Sequence, residues 1–130
     1  MHEVMLVEKF IESAEEEAKR AGLRKIKNIK VKVGSMNAVS IDQFKHLFDG
    51  CKRSSSLEEA RLEVETVPVQ LECGACNHTF IDSRFDDLSF AHLVSHFPSE
   101  YAPPPCPECG ATGAKVISGD EFKLVGMEGE

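Results

Sequence analysis

Residues 73–76 read Cys73-Gly74-Ala75-Cys76, and residues 106–110 read Cys106-Pro107-Glu108-Cys109-Gly110. Each C-x-x-C places two thiolates on one tight turn, and two such turns facing each other build the tetrahedral sulfur cage that Zn²⁺ favours. Iron and a redox disulfide are the competing uses of such pairs. Pro107 stiffens the second turn, and Gly110 stands where a turn of this kind commonly needs a positive φ. Four thiolates leave no position for water, so zinc held here is expected to be structural and not hydrolytic. Binding such an ion contributes on the order of 10 kcal/mol or more to folding, enough to order a segment with little core of its own. The chain has five cysteines. An odd number, four of them in metal-type pairs, points to a reducing compartment, the cytosol, and away from a disulfide framework.

Between the pairs, residues 77–105 exceed the roughly 15–20 residues of a compact ribbon, so the spacer is expected to carry a function of its own. Within it, Phe90-Ala91-His92-Leu93-Val94 suggests a helix ending before Pro98. His92 and His96 would then share one face able to approach a metal ion; two ordinary surface histidines are the bland alternative. His78, beside the first turn, reads as a solvent-facing residue, and Asp86-Asp87 as a solvated turn or helix cap. Pro103-Pro104-Pro105 closes the spacer.

Outside the cysteine module, regular periodicity returns on both sides. Leu6, Val7, Phe10, Ile11, Ala14, Ala18 and Ala21 recur at three- and four-residue steps, a helical face over Glu3–Ala21 stopped by Gly22. Ile29, Val31 and Val33 alternate with Lys30 and Lys32 as a half-buried strand with one solvated face. Ser40-x-x-Gln43 opens a second helix burying Ile41, Phe44, Leu47, Phe48 and Cys51, the last as a core residue. His46 falls on its polar side and receives no role. Leu62 and Val64 begin a strand that is expected to continue past Pro68 to Val69 and Leu71, with a bulge or edge position at Thr66-Val67. Phe122–Met127 is a closing strand too short to fold alone, so it should pair with the sheet of the N-terminal part. The predicted fold is mixed α/β: a small β-sheet flanked by two helices, with an inserted four-cysteine zinc-ribbon-like module joined by two strands. The predicted domains are residues 1–71 with 115–130, and the zinc module 72–114.

The chain of 130 residues carries a formal net charge of −7. That balance disfavours the phosphate backbone of nucleic acid, and no apolar run approaches the roughly 18–20 residues that span a bilayer. Met1-His2-Glu3 leading into an acidic helix is no signal peptide. A bulky second residue hinders removal of the initiator methionine, so a free Met1 amine is expected. That amine, the His2 amide and the His2 imidazole form fused chelate rings suited to square-planar Ni²⁺ or Cu²⁺. Taken alone, a histidine at position 2 is common by chance.

Met1-His2-Glu3 before an amphipathic helix, Val33-Gly34, the paired turns with Cys106-Pro107-Glu108-Cys109-Gly110, and Ile117-Ser118-Gly119-Asp120-Glu121 together resemble HypA, the hydrogenase/urease nickel-incorporation family, over the full length. The resemblance implies a nickel metallochaperone, not an enzyme, acting in maturation of nickel–iron hydrogenase. Its implied partners are a HypB-like GTPase and the hydrogenase large subunit, with urease maturation factors in some members. It implies nickel cargo at Met1, His2 and Glu3, the last mainly through its backbone amide, and structural zinc at Cys73, Cys76, Cys106 and Cys109. The commonest family pattern has the cysteine pairs closer together. Here the long spacer, with His96-Phe97, resembles the histidine-bearing insertion of some members, so His96, or failing it His92, is the expected additional nickel ligand. The runner-up is a zinc-ribbon module that binds protein or nucleic acid, which the acidity opposes. No Walker A loop, nucleophile elbow or open zinc site supports an enzyme.

Overall fold

A computed structural model describes all residues except Met1, Ser54 and the side chain of His2. Its contacts fall into two units, one of Met1–Lys32, Val39–Glu65 and Lys123–Glu130, the other of Val33–Ala38 and Thr66–Phe122. The second unit is therefore larger than the expected 72–114 module. It takes up the flanking residues 66–71 and 115–122, together with a short segment from the N-terminal half.

The first unit begins with α1 (His2–Arg20), which buries Val7, Phe10, Ile11, Ala14 and Ala18, the stripe expected from their spacing. It ends on Gly22 at φ +74°. The Gly22 amide bonds to Lys19 O at 3.1 Å and the Leu23 amide to Ala18 O at 2.8 Å, a Schellman closure that satisfies carbonyls the helix leaves over. In α2 (Ile41–Cys51) the Ser40 hydroxyl accepts from the Gln43 N–H at 3.3 Å, and Phe44 and Phe48 are buried. The Phe10 ring packs at 5.7 Å from Phe44 and 6.1 Å from Phe48, so aromatic contacts join the two helices. Cys51, expected in the core, is only half-buried.

The sheet of this unit runs β2 (Arg61–Val67), β1 (Ile26–Gly34), β6 (Phe122–Gly129), with β1 in the centre. Ile29, Val31 and Val33 are buried. Lys30 and Lys32, on the alternate positions, reach Glu65 at 3.3 and 3.7 Å, so the wet face carries its own charge pairing. The closing strand thus joins the sheet of the N-terminal part, where the sequence placed it.

The second unit holds a separate three-stranded sheet, β4 (Thr79–Ile81), β3 (Gln70–Glu72), β5 (Lys115–Ser118), antiparallel on both sides of β3. Two expectations change here. Leu62–Leu71 is not one bulged strand: β2 stops at Val67 and β3 starts at Gln70 in the other sheet. Pro68, which has no N–H to donate, stands in the break. The module also has a third strand, β4, from within the spacer. The rest of the spacer holds 3-10 turns at Ser83–Asp86 and Pro98–Glu100, with α3 (Leu88–His96) between them. Ala38, Val69, Phe85, Ala91 and Val94 make the core of this unit, with Met36, Phe90, Tyr101 and Val116 against it.

Candidate metal centre

Cys73 follows β3 and Cys76 lies on the turn toward β4; Cys106 and Cys109 lie on the turn ahead of β5. The two turns share one construction. In the first, the Cys73 N–H bonds to His78 O at 2.9 Å and the Asn77 N–H to Cys73 O at 3.0 Å. In the second, the Cys106 N–H bonds to Ala111 O at 2.9 Å and the Gly110 N–H to Cys106 O at 2.8 Å. The fifth residue of each turn has positive φ, +63° at Asn77 and +75° at Gly110. Gly110 was legible in the sequence. Asn77 was missed, although asparagine is among the few residues that tolerate this conformation.

These turns bring the four cysteine ligand atoms within 4.8 Å of one another. Cys73 Sγ lies 3.6 Å from Cys109 Sγ, and Cys76 Sγ 3.7 Å from Cys106 Sγ. Metal–sulfur bonds of about 2.3 Å in a tetrahedron set the sulfurs about 3.8 Å apart. The cage therefore has the size of a single ion, and the donor set fits one. Cys73 and Cys106 are buried, Cys76 and Cys109 exposed.

Electrostatics favour a cation at this point. The N–H groups of Cys76 and Ala75 hold the Cys73 thiol down to about 6. At Cys76 the His78 N–H favours the thiolate, but partial desolvation of the sulfur and the neighbouring sulfurs outweigh it and push the group up to about 12. Cys109 is raised as well: the Ala111 N–H pulls it down, and the hydrogen bond with Cys73 and partial desolvation of the sulfur prevail. Four sulfurs this close do not all ionise against one another; a divalent cation removes that repulsion and lets all four act as ligands.

The other expected site residues divide as follows. Met1 and the His2 side chain lie outside the described residues; the α1 backbone starts at His2, and Glu3 is half-buried in its first turn. His92 and His96 do come together on α3, with ring centroids 6.4 Å apart. His78 is not a purely solvent-facing residue: it is half-buried and stacked on Phe80 at 6.2 Å. Asp87 caps α3, its Oδ1 accepting from the Ser89 N–H at 2.9 Å. Nothing in the local pattern marks the buried Asp82, which takes Arg84 Nε at 2.9 Å on one oxygen, and an Arg84 terminal nitrogen and the Tyr101 hydroxyl, each at 2.8 Å, on the other. An acid and a base two residues apart look like a surface pair until a partner from residue 101 closes over them.

No helix among the described residues is long and apolar enough to cross a membrane. Among the described residues, two small sheets, three α-helices and a four-thiol cage define a metal-binding α/β protein with its cysteine turns built into the second unit. The family profile described as hydrogenase/urease nickel incorporation, metallochaperone, HypA, matches residues 1–129. The chain is 32% identical over 131 residues to the hydrogenase maturation factor HypA of Geobacter metallireducens, covering all of both chains. It is 31% identical over 130 residues to that of Roseiflexus sp., covering all of this chain and 93% of the relative. The solution structure of the nickel metallochaperone HypA from Helicobacter pylori matches with a TM-score of 0.61 at 25% identity, over 97% of this chain and 95% of the other. A second solution structure, of a HypA protein, matches with a TM-score of 0.65 at 25% identity, over 100% of this chain and 97% of the other. The chain belongs to the HypA family of hydrogenase/urease nickel-incorporation metallochaperones.

Proposed function

We propose that this chain holds Zn²⁺ on Cys73, Cys76, Cys106 and Cys109 and carries Ni²⁺ on Met1, His2 and Glu3, with His96, or failing it His92, as an additional nickel ligand. The family match over residues 1–129, together with the four-thiol cage, carries this reading. Zinc fits the cage by the softness and number of its donors. When bound, the ion supplies charge neutralisation and cross-linking of the two turns; the chain's own N–H groups at Ala75 and Cys76 orient the sulfur of Cys73 toward it. No ligand position is left for water, so the centre organises the fold and does no hydrolysis.

At the other end of the chain, α1 begins at His2. The first amides of a helix have no acceptor within it, so those of His2 and Glu3 are free of the helical ladder and available to a metal. A chelate of amine, amide and imidazole nitrogens suits square-planar Ni²⁺. Such a site exchanges its ion with another ligand set without unfolding a core, which is what a carrier requires.

The recipient is the hydrogenase large subunit, or urease maturation factors, and the exchange is driven beside a HypB-like GTPase in the cytoplasm. This chain itself is a carrier and not an enzyme. A zinc-ribbon module for nucleic acid is the weaker reading, because a net charge of −7 repels the phosphate backbone.

The test is Ni²⁺ titration, by calorimetry and absorbance, of zinc-loaded protein with a free Met1 amine, against His2→Ala and against a version extended before Met1. Loss of the tight, square-planar nickel signal in both, with zinc retained, supports the reading. Unchanged tight binding in both, or none in the native protein, overturns the N-terminal site.

A further inference from the structure

Strand β6 (Phe122–Gly129) ends the order β2-β1-β6, so among the described residues its outer edge has no partner strand. Such an edge is a row of unpaired N–H and C=O groups, which folded chains ordinarily guard with charge, proline or a covering segment. The middle of β6, Leu124-Val125-Gly126-Met127, has neither charge nor proline. Val125 is 40% exposed and Gly126 is exposed, so no described segment covers them.

Two shallow hollows meet at this stretch. One, of about 280 Å³, is bounded by Asn28, Lys30, Glu63 and Glu128 and lies toward the wet face of the sheet, where Lys30 reaches Glu65. The other, of about 260 Å³, lies toward the end of α1, between Glu17, Ala21 and Leu23 on one side and Leu124 and Val125 on the other. Gly126 and Met127 line both. Gly126 leaves the space between them open, since a Cβ there would meet no atom within 4 Å.

An extended segment laid along β6 sends successive side chains to opposite faces, one set to each hollow. The hollow beside α1 is apolar, and its one acid, Glu17, is already bound to Arg20 at 2.7 Å. The other hollow is acidic in balance. Its one cation, Lys30, is engaged by Glu65 at 3.3 Å, whereas no ion pair among the described residues uses Glu63 or Glu128. Apolar side chains suit the first hollow and cations the second.

We propose that the free edge of β6 receives an extended segment of a partner protein, which pairs as a fourth strand and alternates apolar with basic side chains. A net charge of −7 attracts a basic segment and sets copies of this chain against one another. A second β6 is also poorly matched to the first. Symmetric antiparallel pairing centres on one residue, and no such centre places Lys123 opposite Glu128. The surface lies in the first unit, apart from the cysteine cage in the second.

The experiment uses full-length, zinc-loaded protein and a labelled synthetic heptapeptide of alternating valine and lysine. The expected result is saturable binding by fluorescence anisotropy, with slowed amide exchange at residues 124–127 and little change in α2. A valine–glutamate peptide, and a valine–lysine peptide N-methylated at alternate bonds, should each bind at least tenfold more weakly. Gly126→Phe fills the hollows at a position without positive φ, and Val125→Lys puts a charge on the edge. Each should weaken binding at least tenfold. If Gly126→Phe does not fold, as shown by lost protection in β1, Val125→Lys decides alone. No binding, binding without protection at 124–127, or binding that Val125→Lys leaves unchanged overturns the proposal. Equal binding of the glutamate or the N-methylated peptide overturns it as well. Dimerisation of the chain that protects 124–127 without peptide gives the edge to a second copy and overturns it too.

Discussion

The hydroxyl of Tyr101 donates a 2.8 Å hydrogen bond to Oδ2 of Asp82, across 19 positions of sequence. Arg84 binds the same carboxylate through two nitrogens, donates to Ala102 O at 2.9 Å, and lies 4.8 Å from the centre of the Phe90 ring. The beginning and end of the spacer are thus tied around one buried anion. Burial opposes that charge, but the hydrogen bonds from Arg84 and Tyr101 outweigh it and hold the Asp82 carboxyl below its usual range.

Tyr101→Phe keeps the ring against Phe85 and removes one bond to the carboxylate. A hydrogen bond to a charged group is worth about 1.5–3 kcal/mol, so urea unfolding should show a loss of that order. Hydrogen exchange should rise over 82–101 and stay unchanged in α1. Because the folded-state carboxyl is depressed, the stabilisation from Asp82 is present above the ordinary carboxylate value of about 3.9 and is lost as pH falls through the lower folded value. An unfolding midpoint that does not move in Tyr101→Phe would show that the bond carries no weight.

Tyr101 offers a direct optical check, since the chain has one tyrosine and no tryptophan. Burial first, and then the hydrogen bond to the Asp82 anion, push its phenol above the ordinary value of about 10. A raised folded value means that stabilisation is complete below the unfolded value and lost as pH rises through the folded one. Phenolate absorbance should therefore appear at higher pH in folded protein than in urea. Asp82→Asn should recover part of the difference, the part owed to the anion, leaving the part owed to burial. Coincident titrations in folded and unfolded protein would rule out a held hydroxyl.

How much of this was readable in advance depended on the range of the interaction. The α1 stripe, its stop at Gly22 and the Ser40 cap repeat or close within a few residues, so periodicity and local chemistry exposed them. The cysteine turns were legible because each needs only four or five consecutive residues. The pattern from Leu62 to Leu71 reads as one strand running past Pro68, whereas Pro68 marks the passage between two sheets. Nothing local distinguishes those outcomes, because the partner strands β1 and β5 lie far away in sequence. The Asp82 clamp failed to show for the same reason: its third member arrives from residue 101.

Metal removal should act on one unit more than the other. Chelation, or Cys106→Ser, takes away the charge that lets four adjacent sulfurs ionise and the link between the two turns. Hydrogen exchange should rise most around residues 73–81 and 106–118, where β3, β4 and β5 run into the turns. Protection in α1 and α2 should largely persist, because Phe10, Phe44 and Phe48 pack without the cage. Equal loss of protection in α1 and in β3 would mean that the two units unfold as one.

Gly110 and Gly119 separate two costs that a substitution usually mixes. Both have positive φ, +75° and +106°. A Cβ at Gly110 meets no atom within 4 Å, whereas at Gly119 it would stand 2.5 Å from Val69 Cα and 2.8 Å from Pro68 O. The obstacle at Gly119 is backbone, and backbone here is pinned: Met36 N–H donates to Gly119 O at 2.9 Å and Ser118 Oγ to Pro68 O at 3.4 Å. Gly110→Ala should therefore cost about 1–2 kcal/mol, the conformational strain alone. Gly119→Ala adds an overlap that no side-chain rotation relieves, so its total should reach roughly 3 kcal/mol or more. Urea midpoints of the two metal-loaded variants decide the matter. Equal shifts would mean that the strand crossing at Pro68–Val69 yields to an extra methyl group, and that the close approach is a consequence of the fold and not a condition for it.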